Sequence, residues 1–152
     1  IRHGFHALAR EETRNSYTPV LWTCPEDWQG HIEQVWFPGT HGDVGGQLGG
    51  FEAARPLANI PLVWMLERME SCGLVFPGEW RARFTQNPRA ASVSTWRGFG
   101  KLFLFRKRRR IETDICERIH HSVYAREQRD PPTLIGGLTV RLKRRWRGAS
   151  SV

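Results

Sequence analysis

The sequence predicts an α/β fold, in which helices flank a sheet and functional groups gather at the carboxyl ends of its strands. Two neighbouring patterns predict it. Residues 31–37 form a segment of strand length whose apolar end, Val35-Trp36-Phe37, runs into a glycine-rich loop, and residues 56–72 then place apolar side chains at helical spacing. A strand, a glycine turn and a helix in this order form the unit from which α/β sheets are built.

Length and composition are those of one domain with a core, since the 152 residues are 39% hydrophobic and include seven Trp and eight Phe. No apolar run reaches the roughly 18 residues that a membrane-spanning helix needs, which excludes that class of protein. The chain begins at Ile1 and shows no signal-peptide pattern, so we expect a cytoplasmic fragment or processed piece of a longer protein.

The three cysteines, Cys24, Cys72 and Cys116, are odd in number and widely spaced. This spacing argues against a disulfide framework and against a thiolate zinc site, and it favours a reducing compartment.

The amino-terminal half is predicted to hold four segments. Residues 6–15 favour a helix or helical turn, residues 16–30 a loop, and residues 31–37 a buried strand. Pro56 opens a helix that Gly73 stops, and Pro61 is expected to delay its start. Its apolar face is predicted to contain Ile60, Val63, Trp64, Leu66, Met69 and Cys72.

The following part of the chain is predicted to be turn-rich over residues 76–95, with a short apolar run at residues 100–105. A second helix is predicted over residues 111–126 because isoleucine or valine recurs at every fourth position. These positions are Ile111, Ile115, Ile119 and Val123.

Proline and glycine residues near the end of the chain predict a domain boundary there. Residues 1–128 are predicted to form one domain, and residues 129–152 a linker with Pro and Gly that ends in a basic tail. A last strand over residues 133–142 fits within that tail.

The glycine loop carries the first candidate site. His41 lies just past the predicted strand between small residues, so its imidazole is held by a rigid element and open to a substrate. The alternative is a structural histidine hydrogen-bonded in a tight turn. Asp43 is either a supporting catalytic acid or a residue that caps the next turn. The loop lacks the lysine of a phosphate-binding loop, so its glycines are predicted to serve backbone geometry. These glycines are Gly39, Gly42, Gly45 and Gly46.

Other histidines offer weaker alternatives. A zinc or iron site could be assembled from His31, His41 and Asp43, but no His-x-x-x-His or Cys pair supports it, so no metal and no cofactor are predicted. His120 and His121 are interpreted as surface or partly buried groups on the second helix.

The net charge of +8 is concentrated in two runs, residues 106–110 and 141–147. The first run could hold phosphates while Phe103 or Phe105 stacks on a base. A solvated start of a helix is the alternative, and an anionic lipid surface is a further candidate partner. The candidate anion-binding residues are Arg106, Lys107, Arg108, Arg109 and Arg110.

Two strings resemble a known family. VWFPGTHGDVGG at residues 35–46, followed by LANIPLVWMLER at residues 57–68, resembles the carboxyl-terminal half of an uncharacterised α/β-hydrolase family that includes the phospholipase effectors of bacterial type VI secretion. HALA at residues 6–9 and PVLW at residues 19–22 are similar to its segment before the last strand. HHSV at residues 120–123 and the preceding Arg109-Arg110 pair are similar to its bacterial members, so the resemblance spans roughly residues 3 to 126.

The resemblance implies a partial α/β-hydrolase-like sheet with flanking helices, incomplete at its amino terminus. It also implies a serine nucleophile, an aspartate after a later strand and a histidine after the final strand, and His41 maps onto that histidine as general base. The implied substrate is an ester, with phospholipid as the candidate class, and secretion as an effector becomes an option.

The sequence departs from the family because it contains no Gly-x-Ser-x-Gly. The serine and aspartate are therefore expected ahead of Ile1, and the chain is expected to supply the triad histidine of a serine ester hydrolase without catalysing alone. The alternative is a non-catalytic remnant, or a basic module that binds nucleic acid or anionic lipid.

Overall fold

The sheet at the centre of the computed structural model is parallel and three-stranded. Residues 2–25, 27, 30–96, 98–111 and 114–127 are described. Strand β1 spans His3–Ala9, β2 spans His31–Phe37 and β3 spans Glu117–Ile119, and the order in the sheet is β1-β2-β3. The predicted strand over residues 31–37 is confirmed as the central strand, and the α/β class is confirmed at this level.

Three α-helices accompany the sheet: α1 at His41–Gly45, α2 at Arg55–Ser71 and α3 at His121–Glu127. Short 3-10 turns lie at Asn15–Tyr17, Glu52–Ala54, Trp80–Arg83 and Gly98–Leu102. Among the described residues, no helix has both the length and the apolar character that crossing a membrane would require.

The main core lies between the sheet and α2. Side chains alternate along β2, so Val35 and Phe37 face the helix and pack on its buried residues Leu57, Ile60 and Trp64. Full burial of each such side chain contributes about 1.5–3 kcal/mol. This core fixes the carboxyl end of β2, from which the glycine loop emerges.

The opposite face of β2 is covered by the loop that follows Thr18. Gln34 donates from Nε2 to the carbonyl of Trp22 at 2.9 Å and accepts from the Trp22 backbone N–H at 2.7 Å. Trp36 donates from its indole nitrogen to Glu117 at 2.6 Å. Because side chains alternate between the two faces of β2, one face packs on α2 and the other is covered by the loop after Thr18.

A disulfide joins this loop to the chain just before β3. Cys24 and Cys116 are bonded, with their Cα atoms 6.1 Å apart, while Cys72 is free and exposed. The cysteine spacing argued against a disulfide framework and for a reducing compartment; for Cys24 and Cys116 the first expectation was wrong, and the cysteines no longer favour such a compartment. Spacing along the chain could not reveal the pair, because the pairing of β2 with β3 brings together residues 92 positions apart.

Two predicted helices are also wrong. Residues 6–15 are not helical at their start, because β1 runs to Ala9 and pairs in parallel with β2, placing Leu8 opposite Trp36. The helix predicted over residues 111–126 divides into β3 and the short α3. Ile115 is exposed, so the fourfold repeat of apolar residues does not mark one continuous face.

Helix α2 agrees with its prediction at both ends. It ends where Gly73 adopts a φ of 96°, and Leu74 donates its N–H back to the Met69 carbonyl at 3.1 Å. Pro61 lies inside the helix and does not delay its start. The predicted apolar face is wrong at its end, since Met69 and Cys72 are exposed beyond the core.

Residues 76–95 are turn-rich, as predicted, with one 3-10 turn at Trp80–Arg83. The apolar run at residues 100–105 forms part of a 3-10 turn and a loop, with most of its large side chains exposed. The predicted tail over residues 129–152 and its strand at 133–142 lie outside the described residues.

Candidate active site

The carboxyl ends of the three strands meet at one edge of the sheet, because the strands are parallel. Residues 10–12 follow β1, the glycine loop follows β2, and His120 follows β3. The candidate site is built from these three connections.

His41 is the first residue of α1 and its side chain is exposed. Its ring lies 4.9 Å from the ring of Tyr17, measured between centroids. Both side chains line a cavity of about 660 Å³, together with Glu12, Met65 and Arg109. An imidazole at the rim of a cavity, mounted on the end of a buried strand, is accessible to a substrate and constrained in position.

Glu12 holds the backbone of His41. Its carboxylate, only 1% exposed, accepts the His41 backbone N–H at 3.2 Å. It also accepts two side-chain hydrogen bonds from Arg14, at 2.9 and 2.6 Å, and the Arg14 backbone N–H at 2.8 Å. Burial raises the pKa of Glu12, but the hydrogen bonds from Arg14 and His41 outweigh it and leave the pKa below its usual value.

Glu12 was not predicted as a site residue, because residues 6–15 favoured a helix. The available signal was an acid two positions before an arginine, just after a segment that could pair as a strand. Its position next to His41 follows only from the pairing of β1 with β2.

Asp43 is buried and acts as the cap of α1. Its carboxylate accepts the Thr40 backbone N–H and hydroxyl at 2.7 and 3.0 Å, the Ser92 hydroxyl at 2.6 Å and the Val93 backbone N–H at 2.9 Å. This is the second of the two roles predicted for Asp43. Within the described part of the chain no hydrogen bond joins Asp43 to His41, so its carboxylate orders the loop around the histidine.

Two glycines are required by the geometry of this loop. Gly39 has a φ of 107°, and a Cβ there would lie 2.7 Å from the Cβ of Asp43. Gly46 ends α1 in the left-handed region, with a φ of 73°. Gly42 approaches the Gln47 carbonyl closely, whereas Gly45 meets no neighbour and has no positive φ, so its predicted geometric role is not required.

The alternative metal site is wrong. His31 begins β2 and His41 follows its carboxyl end. Among the described residues, the side chains of His31, His41 and Asp43 do not form a group whose ligand atoms lie close enough to share an ion. His31 instead pairs with Glu33 on its own strand, at 2.5 Å.

His120 contacts a serine that the sequence analysis did not single out. Its Nδ1 lies 2.7 Å from the Ser122 hydroxyl, and its ring packs 4.7 Å from Phe37. Burial, with the neighbouring charges of His121 and Arg68, lowers the pKa of His120 to about 4. Because Ser122 is only 2% exposed, this pair serves packing at the start of α3 and gives an ester no access.

The basic run at residues 106–110 does not begin a helix, so that interpretation is wrong. Arg106 forms an isolated antiparallel bridge with Arg14. Arg109 donates to the Arg14 and Tyr17 carbonyls at 2.9 and 2.6 Å, and burial lowers its pKa. Of the five candidate anion-binding residues, Lys107, Arg108 and Arg110 are exposed, whereas Arg106 and Arg109 are partly buried.

Comparison with known families identifies the part of the chain that carries His41. Residues 1–68 match the family described as "T6SS, Phospholipase effector Tle1-like, catalytic domain". No curated protein and no solved structure gave a match. The matched residues include β1, β2, the glycine loop and most of α2. Over residues 1–68, this chain is related to the catalytic domain of the Tle1-like phospholipase effectors of the type VI secretion system.

Proposed function

We propose that His41 is the general base of a serine ester hydrolase that acts on phospholipids. One observation carries the proposal: the exposed imidazole at the end of the central strand borders a cavity, within the segment related to a phospholipase effector catalytic domain. A lipid ester is the substrate class that this relationship favours.

In the proposed reaction, the neutral imidazole of His41 removes a proton from a serine hydroxyl as its oxygen attacks the ester carbonyl. The proton then passes to the departing alcohol, and a second cycle with water releases the fatty acid. The sequence contains no Gly-x-Ser-x-Gly, so we place the nucleophile outside these residues, upstream or on another chain. Ser16 lines the same cavity but forms no hydrogen bond with His41 among the described contacts.

Glu12 is assigned as a positioning residue. It follows the strand beside β2, and its carboxylate fixes the backbone at His41, which sets the direction of the imidazole. Asp43 has a parallel role through the cap of α1. We assign neither carboxylate to direct contact with substrate.

The relationship to secreted effectors supports action after secretion. The Cys24–Cys116 disulfide is consistent with this, because such bonds persist in oxidising compartments. The alternative of a nucleic-acid module is less well supported, since Arg106 and Arg109 are bound to protein oxygens and Phe103 packs on Tyr17. An anionic lipid surface remains the candidate partner of the exposed cations.

The test is His41→Ala in the complete protein, with phospholipid ester turnover as the readout. Loss of a triad histidine lowers kcat by several orders of magnitude, roughly 10³-fold or more. His31→Ala is the matched control, because that histidine lies at the other end of the same strand. Turnover close to wild type in His41→Ala, with an unchanged melting temperature, would contradict the proposal. Loss of turnover in Ser16→Ala would instead assign Ser16 as the nucleophile.

A further inference from the structure

Five exposed large apolar side chains lie close together in the sequence, on residues 95–96 and 98–106, here called the apolar loop. Phe99 is 85% exposed and Phe105 84%. Its exposed large side chains are Trp96, Phe99, Leu102, Leu104 and Phe105. Several exposed apolar side chains on one loop indicate an interaction site, because exposed aromatic and aliphatic groups are stabilised when a partner removes them from water.

The apolar loop is held in shape from within by Arg106. Its guanidinium donates to the carbonyls of Gly100, Phe103 and Thr95, at 2.7, 3.0 and 3.1 Å. It also donates to the Thr95 hydroxyl at 2.8 Å and lies 3.6 Å from the centre of the Trp96 ring. A Cβ at Gly100 would lie 2.3 Å from the Thr95 carbonyl oxygen, so the turn is closely packed. The exposed apolar groups are therefore displayed by an ordered turn.

Cations border the same surface. Lys101 lies within the loop, and Lys107, Arg108 and Arg110 follow it directly, all with exposed side chains. Within the described ranges, no carboxylate forms an ion pair with these four cations, whereas Arg55, Arg68 and Arg81 are each paired with glutamate. Apolar groups rimmed by free cations complement an anionic lipid bilayer, whose headgroups carry negative charge above a hydrocarbon layer.

We propose that the apolar loop is a membrane-docking surface for anionic bilayers. Phe99, Leu104 and Phe105 enter the boundary between headgroups and acyl chains, and the bordering cations contact lipid phosphates. This binding is a separate property from ester hydrolysis, and it would stand if His41 proved not to be a general base.

The loop is also connected to the candidate site. Phe103, which points inward, packs edge to face on Tyr17 at 5.6 Å, and Tyr17 contacts His41. Arg14 covers the Tyr17 ring at 3.9 Å. Docking of the loop would therefore hold the His41 cavity beside the lipid surface.

The test is sedimentation of the full chain with vesicles of phosphatidylglycerol or of phosphatidylcholine, over a range of salt concentrations. We expect binding to phosphatidylglycerol that weakens with salt. Phe99→Ser with Phe105→Ser should lower the partition coefficient about tenfold or more, because partial insertion of two aromatic rings is lost. Replacing Lys107, Arg108 and Arg110 by Gln should lower it about a hundredfold at low salt, at ~1 kcal/mol for each cation.

Matched controls are Val75→Ser, an exposed apolar residue beyond α2, and Arg83→Gln, an exposed cation away from the loop. Both should bind like wild type, and circular dichroism should show all variants folded. Three results would overturn the proposal: no binding of the wild-type chain to either vesicle, loop variants that bind undiminished, or binding of RNA that the loop variants abolish while vesicle binding persists. Concentration-dependent dimers lost in the Phe99→Ser, Phe105→Ser variant, without vesicle binding, would assign the surface to a second copy.

Discussion

The buried carboxylate of Glu12 accepts a hydrogen bond from the backbone N–H of His41 at 3.2 Å. This contact links the connection after β1 to the first residue of α1, which lies within the glycine loop after β2. The same carboxylate is paired with Arg14, whose guanidinium lies over Tyr17. The backbone position of His41 therefore depends on an ion pair that lies outside its own loop.

Glu12→Gln should lower kcat of the complete enzyme by about tenfold or more while leaving KM nearly unchanged, because the histidine is displaced and the cavity is kept. The unfolding free energy should fall by about 1–3 kcal/mol, since Arg14 loses its charged acceptor. Steady-state kinetics and urea denaturation measure the two effects. Glu52→Gln, which breaks an exposed pair with Arg55, is the control. A rise in KM with kcat nearly unchanged would argue for direct substrate contact instead.

Stability should rise with pH between about 4 and about 6.5 because of His120. Its pKa is lowered to about 4 by burial in the folded protein, while an unfolded histidine titrates near 6.5. In that interval the unfolded chain binds a proton that the folded chain does not, so acidification favours unfolding. Urea denaturation across this interval should show the slope, and His120→Gln should flatten it. An unchanged slope in this variant would assign the effect to another group.

Breaking the Cys24–Cys116 disulfide should lower the unfolding free energy by about 2–4 kcal/mol, because the bond closes a long loop of the unfolded chain. Reduction of the wild type and the Cys24→Ser substitution should give equal losses in melting temperature. Reductant should then have no effect on Cys24→Ser. Cys72→Ser is the control, as this thiol is free. Additive effects of reductant and substitution would contradict the assignment.

The parts of the fold that were predictable have strong local patterns. The β2 strand and α2 are long or strictly patterned, and Gly73 supplies a local stop signal. β3 has only three residues and forms because it pairs with β2. A strand this short has no local sequence pattern that predicts it. The repeat that includes Ile115 matched helical spacing by chance, since its members lie on different elements.

Only part of the candidate site was predictable, namely the part that lies within one continuous segment of the sequence. His41 and the capping role of Asp43 lie within one short segment, so their relationship is visible in the sequence. Glu12 reaches His41 from the neighbouring strand connection, and Cys24 reaches Cys116 across the sheet. Contacts of this kind depend on strand order, which composition and periodicity do not encode.

The position of β1 at the end of the strand order has a consequence for how the sheet could grow. An end strand presents backbone N–H and C=O groups on its outer side as a template for another strand. A strand added there in parallel would end beside Glu12 and the cavity that His41 borders. Among the described strands, the open edge of the sheet therefore lies on the side of the cavity that His41 borders, and this is where a further parallel strand could add its own connecting loop to the site.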